Sequence, residues 1–197
     1  MKKLIALSLT LVMMMTLFVG CAGSNETPTP SDDASADVVV PASALEILEN
    51  IWAAYGDEEK FPVMGGNPEA MNMEGPGVWD PAYAEGMQAS LLIPADQMAS
   101  VTEAASMIHM MNANTFTCGV VRLAEGTDAA AFAAAMQQAV QTNPWMCGFP
   151  EKLIIAVIGG EYVLTAFGVN DAMTPFEGKL TAAYADAEIA YNEAIAG

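Results

Sequence analysis

The sequence has very little positive charge and a single histidine. It holds 6 lysines and arginines against 24 aspartates and glutamates, which gives a net charge of −18. Such a chain repels nucleic acid and anionic lipid headgroups, so no nucleic-acid partner is expected. Any mechanism that pairs a serine or cysteine nucleophile with histidine would have to use His109, which lies in an apolar run without a catalytic signature.

The common signatures of metal, phosphate and catalytic sites are also missing. The 3 cysteines have no CxxC spacing, and no calcium-binding loop of the D-x-D-x-D-G type occurs. Gly65-Gly66 lacks the following lysine of a phosphate-binding loop. We therefore expect a non-enzymatic protein without a cofactor. A hydrolase that uses two carboxylates stays open as an alternative, because such pairs are defined only by three-dimensional geometry.

The N-terminus has the parts of an exported lipoprotein. Two lysines follow Met1, residues 4–20 carry no charge, and a small residue precedes Cys21. This order predicts a signal peptide over residues 1–20 and a Cys21 that carries acyl chains such as palmitate on the outer face of the cell membrane. Removal of residues 1–20 leaves four basic residues against 24 acidic ones, a net charge of −20. The membrane partner is then the bilayer itself, bound through the lipid.

Composition divides the remaining chain into a tether and a domain. Residues 21–40 are small, polar and proline-containing, which predicts a flexible, disordered tether. Residues 41–197 have the length and apolar content of a single folded domain.

The first half of this domain predicts two helices around a long irregular segment. Apolar residues at spacings of three and four indicate a helix over 42–55 that ends at Gly56. Glycine and proline interrupt residues 57–86 and exclude long regular elements there. A short strand over 89–93 and a helix over 95–107 are predicted to follow.

The second half shows clearer patterns. β-Branched and aromatic residues predict a strand over 115–123, and apolar periodicity predicts a helix over 128–141. Two apolar strands, 153–158 and 161–167, are separated by two glycines, which predicts a tight hairpin. A long helix is predicted from residue 171, with an apolar stripe that continues to residue 195.

The order strand, helix, strand, strand, helix indicates a split β-α-β unit with an added hairpin. The hairpin strand is expected between the two strands that flank the helix and antiparallel to both. The fold class is therefore predicted as α+β, with a small antiparallel or mixed sheet and helices packed on one face.

Several segments resemble a family of small Gram-positive bacterial lipoproteins known only as a domain of unknown function. They are Met110-Met111-Asn112 before the strand CGVVRL, the helix TDAAAFAAAMQQAV and the hairpin LIIAVIGGEYVLTAFG, in addition to the signal and the tether. The resemblance covers about residues 107–183 and implies the location and the fold. It implies no catalytic residue.

Two clusters are candidate sites. Met107, His109, Met110 and Met111 offer soft ligands that suit Cu(I) outside the cytoplasm, although methionine also simply fills cores. Trp79, Tyr83 and Trp145 lie in predicted loops, where they either mark a binding surface or cover the core. The expected function is thus a membrane-anchored module that binds a protein or a small molecule. An extracytoplasmic copper-handling protein is the alternative from a different class.

The two remaining cysteines predict one disulfide. Exported proteins retain disulfides, and Cys118 and Cys147 make the only pair besides the anchor. The helix after the strand of Cys118 returns toward the level where that strand began, so we expect the two sulfurs to meet. The other interpretation is two free thiols, with Cys118 buried and Cys147 in a loop.

Overall fold

The computed structural model describes residues 41–196, which form four α-helices and seven β-strands. The predicted signal peptide, Cys21 and the tether lie outside the described residues. The helices are α1 (Ala44–Ala53), α2 (Ala84–Leu91), α3 (Ala129–Thr142) and α4 (Asn170–Ala183). The strands are β1 (Val63–Met64), β2 (Gly77–Trp79), β3 (Val101–His109), β4 (Phe116–Leu123), β5 (Lys152–Ile158), β6 (Tyr162–Gly168) and β7 (Glu188–Ala194). No helix in this part of the chain is long and apolar enough to cross a membrane.

All seven strands belong to one antiparallel sheet, which confirms the α+β class. The strand order is β1-β3-β4-β6-β5-β7, and β2 also pairs with β3. β4 and β5 are each antiparallel to β6, so they run parallel to each other with β6 between them. Because α3 connects β4 to β5, the predicted split β-α-β arrangement is confirmed.

The hairpin between β5 and β6 also follows the prediction. Ile158 pairs with Tyr162, and the two glycines between the strands have φ angles of 59° and 75°. Positive φ at both central positions is the requirement of a type I′ turn, whose twist matches that of the flanking strands. The Gly159-Gly160 pair therefore fixes the register between β5 and β6.

Helices cover both faces of the sheet, and the expectation of helices on one face is wrong. α1 and α4 pack on one apolar cluster, and α2 and α3 pack on a second. Neighbouring residues of β6 belong to opposite clusters, as Leu164 and Val163 do. A strand that is buried on both faces needs cover on each side, and each large apolar side chain buried there contributes about 1.5–3 kcal/mol.

The predictions of a strand over 89–93 and of a helix over 95–107 are wrong. Residues 89–93 include the end of helix α2, and residues 101–107 lie in β3. Alanine, glutamate and methionine favour a helix locally in this segment. β3 nevertheless pairs with β4 on one side and with β1 and β2 on the other, so tertiary pairing overrides the local preference. Both short strands come from the glycine- and proline-rich segment 57–86.

The prediction of a long C-terminal helix is correct only for its first half. α4 ends at Ala183, and the chain then returns as β7 along the edge of β5. Phe176, Leu180 and Tyr184 are buried, as their spacing predicts. Beyond Tyr184, the apolar residues Tyr191 and Ile195 pack on the second cluster from β7 and the residue that follows it.

Candidate functional site

A groove of about 490 Å³ lies at the end of the sheet where β3 ends and β4 begins. The loop after α3 forms one wall, and the end of α2 contributes Ala89 and Ser90. We call it the sulfur-lined groove and define it by Ile108, Met111, Thr117, Trp145, Met146, Cys147 and Phe167.

Gly148 holds the two loops of this groove together. Its φ is +83°, and a Cβ atom there would lie 2.4 Å from Thr115 Oγ1 and 3.1 Å from the carbonyl oxygen of Asn112. Thr115 Oγ1 in turn donates a hydrogen bond to that carbonyl at 2.9 Å. Only glycine allows so close an approach in this conformation. The contact places Met146 and Cys147, which precede Gly148, in the same groove as Met111.

The groove is uncharged although the domain is strongly acidic. Residues 41–196 contain 20 acidic and four basic side chains, yet none of the residues that line the groove is an aspartate, glutamate, lysine or arginine. Burial lowers the pKa of His109, so this imidazole is neutral at neutral pH. Three of the four basic side chains are engaged elsewhere in ion pairs: Arg122 with Glu161, Lys152 with Glu177 and Lys179 with Glu59.

Exposed apolar side chains are concentrated in the two segments that form the groove. Met146 and Phe149 are 85% and 68% exposed, and Met110 and Met111 are also exposed. These four make up half of the eight exposed large hydrophobic residues among residues 41–196, and they come from two segments that Gly148 holds in contact. Clustered exposed apolar groups of this kind mark binding surfaces more often than isolated ones do.

One of the three candidate aromatic residues lines the groove. Trp145 packs on Phe167 with ring centroids 5.4 Å apart, and its buried Nε1–H has no hydrogen-bond partner within the described chain. An unpaired buried donor costs about 1–3 kcal/mol, which an acceptor atom of a ligand or water would offset. Trp79 instead covers the core and donates from Nε1 to Ser106 Oγ at 2.6 Å. Tyr83 packs beside the second apolar cluster.

The four residues predicted as a soft-metal cluster do not share one site. Met107 is fully buried in the first apolar cluster, and Met110 is exposed outside the groove lining. His109 stacks on Phe61 with centroids 5.2 Å apart, and its Nδ1 accepts a hydrogen bond from the Met111 N–H at 2.9 Å. A neutral ring that accepts at Nδ1 carries its proton on Nε2, so neither nitrogen offers a free lone pair.

The structure corrects the predicted disulfide. Cys118 and Cys147 are both free; Cys118 is buried and Cys147 is exposed. Side chains alternate along β4, and Cys118 points into the cluster under α1 and α4. Cys147 belongs to the loop after α3, which packs on the opposite face. The two cysteines were expected to meet because they lie at a similar level along β4, but they lie on opposite faces of the sheet. Burial also raises the pKa of the Cys118 thiol, which keeps it protonated and unreactive.

Carboxylates line a second cavity of about 590 Å³ between the turn after β4 and the β5–β6 hairpin. Glu161 Oε2 there accepts hydrogen bonds from Arg122 Nε at 3.1 Å and Nη2 at 3.0 Å. This leaves Glu125 as the other carboxylate of that cavity. The carboxylates of this cavity are thus separate from the groove, which contains three sulfur groups and no carboxylate.

Among residues 41–196, no group of three or more histidine, cysteine, aspartate or glutamate side chains is arranged to hold a metal ion. Two of the three sulfur groups in the groove are methionine thioethers. Met111 and Cys147 are candidate residues in the sequence for separate reasons, whereas no sequence pattern indicates Met146 or Gly148 as parts of the site.

No family model, curated protein or solved structure matches this chain, so its resemblance to the small Gram-positive lipoproteins stays a prediction.

Proposed function

We propose that this chain is a lipid-anchored, extracytoplasmic and non-enzymatic binding module that takes its ligand in the sulfur-lined groove. The signal over residues 1–20, Cys21 and the tether over 21–40 support the anchoring and the location. The anchor would restrict the folded domain to the membrane surface, so the ligand is a molecule or ion that is encountered there.

The observation that carries this proposal is the uncharged lining of the groove in an otherwise acidic domain. Every residue that lines it is apolar, aromatic, thiol, thioether or neutral polar, and Met146 and Cys147 are exposed there. The net negative charge of the domain disfavours anionic ligands. Hard cations such as Ca²⁺ and Mg²⁺ would need carboxylate ligands, which this groove does not supply.

Occupancy of the groove can be measured without knowing the ligand. Cys147 is an exposed thiol in the groove, whereas Cys118 is buried. We expect a membrane-impermeant maleimide to alkylate Cys147 more slowly in intact cells than in purified protein that has been washed with a chelator. A bound ligand would cover the thiol in the cell and would be lost during purification.

The matched control moves the reporter thiol out of the groove. Met73→Cys in a Cys147→Ser background places a cysteine at an exposed position that does not line the groove. This thiol should react at the same rate in both settings. Equal rates for Cys147 in cells and in the washed protein would argue against a ligand in the groove.

The anchor has its own test. Cys21→Ala should abolish lipidation and leave the precursor unprocessed, because cysteine is the residue that receives the lipid. Mass spectrometry of the mature protein should find an acylated Cys21 as its first residue. An unmodified N-terminus at another position would contradict the anchoring.

A further inference from the structure

We infer that the sulfur-lined groove binds a soft monovalent metal ion, Cu(I), through Cys147 Sγ and the thioether sulfurs of Met111 and Met146. The inference rests on the proposed function, since it names the ligand of the same groove. It differs from the cluster that the sequence suggests, of which only Met111 remains as a ligand.

The first argument is the donor set. One thiol and two thioethers line a single groove, and all three side chains are exposed, so no unfolding is needed to reach them. Soft sulfur ligands favour Cu(I) among biological metals, and a site with two or three sulfur atoms suits its low coordination number. Zinc would require more nitrogen, thiolate or carboxylate ligands than these three residues provide.

The second argument is the contact between the two segments that carry the three sulfurs. Met111 lies in the turn after β3, and Met146 and Cys147 lie in the loop after α3. The close approach of Gly148 to Thr115 joins these two segments, which are far apart in the sequence. The contact between the two segments is therefore part of the fold, and the site does not depend on a flexible methionine-rich tail.

The third argument is charge balance. Cu(I) forms a bond with the Cys147 sulfur while the thiol proton leaves to solvent, so the bound ion and the thiolate together are neutral and no electron is transferred. A neutral complex suits a groove without charged side chains. The acidic surface of the domain would at the same time raise the local concentration of a cation at the entrance.

The test is an anaerobic titration of the full mature protein in detergent with Cu(I), in competition with a chromophoric Cu(I) chelator. Ag(I) provides a redox-inert second probe. We expect one equivalent bound per chain. Cys147→Ser should weaken the affinity by about 100-fold, and Met111→Leu and Met146→Leu by about 10-fold each, since such effects typically accompany disruption of a metal site.

Two exposed methionines outside the groove lining provide controls. Met71→Leu and Met73→Leu should leave the affinity unchanged, because neither sulfur lines the groove. A Met111→Leu/Met146→Leu double variant that binds Cu(I) as tightly as wild type would overturn the inference, since it would reduce the site to a lone exposed thiol. Absence of binding by the wild-type protein would overturn it as well.

The outcomes for the metal and for the groove are distinguishable. If Cys147 is protected in cells but the purified protein binds neither Cu(I) nor Ag(I), the groove has another ligand and the metal inference is wrong. If an extracellular Cu(I) chelator restores the alkylation of Cys147 in cells, the ligand in the cell is the metal.

Discussion

Replacement of Gly148 by alanine tests the contact that assembles the groove. The residue has a φ of +83°, and the added Cβ would meet Thr115 Oγ1 at 2.4 Å. The left-handed conformation costs a non-glycine residue about 1–2 kcal/mol. The steric overlap adds about 1–3 kcal/mol, as is typical for an overpacked site.

Gly126 provides a matched control for the conformational part of this cost. Its φ is +81°, and a Cβ atom there would have no neighbour within 4 Å. Gly126→Ala should therefore lower the free energy of unfolding only by the cost of the left-handed conformation, about 1–2 kcal/mol. Urea unfolding measures the free energy of unfolding of both variants. The two values are comparable if the slope of this free energy against urea concentration is the same in both variants.

A second variant identifies the atom responsible. Thr115→Ala removes Oγ1 and with it the hydrogen bond to the Asn112 carbonyl, at a cost of about 0.5–1.5 kcal/mol. In that background the penalty of Gly148→Ala should fall toward that of Gly126→Ala. Thr115→Val retains a γ atom in place of the hydroxyl and should not relieve the overlap. Equal penalties for Gly148→Ala and Gly126→Ala in the wild-type background would refute the close approach of the two loops.

Three further predictions concern the hairpin, an ion pair and the thiols. Gly160→Val, at a φ of +75°, should lower the free energy of unfolding by about 1 kcal/mol or more, and a melt at the wild-type temperature would contradict the turn. Lys152 donates a hydrogen bond to Glu177 and thereby lowers the pKa of that carboxyl below its usual 4.5. The stability advantage of wild type over Glu177→Gln, measured by chemical unfolding, should be present above that value and vanish as the pH falls through the lowered pKa; a pH-independent difference would count against the pair. Without reductant, Cys147 should react rapidly with a thiol reagent and Cys118 only after unfolding, whereas loss of both thiols would indicate a disulfide.

The segments predicted correctly are those in which local chemistry and tertiary packing agree. β-Branched residues predict β4, two glycines predict the turn after β5, and apolar periodicity predicts α3. β3 and β7 were missed because their alanine- and glutamate-containing sequences favour helices in isolation. These segments form strands because they pair with strands that are distant in the sequence, and no local sequence pattern indicates such pairing.

The groove could be predicted only in part for a similar reason. Met111 and Cys147 stand out as residue types, but nothing in the sequence indicates that their two loops meet. That meeting depends on a single glycine at position 148 and on the face of the sheet that each loop covers. The same difficulty produced the wrong disulfide, because the alternation along β4 points Cys118 away from the loop of Cys147.

The alkylation rate of Cys147 in intact cells, divided by its rate in chelator-washed purified protein, tests the central claim most directly. If the sulfur-lined groove is a ligand site, this ratio lies well below one, while the ratio for the cysteine introduced at Met73 equals one. A ratio of one at both positions would contradict the claim that the groove binds a ligand.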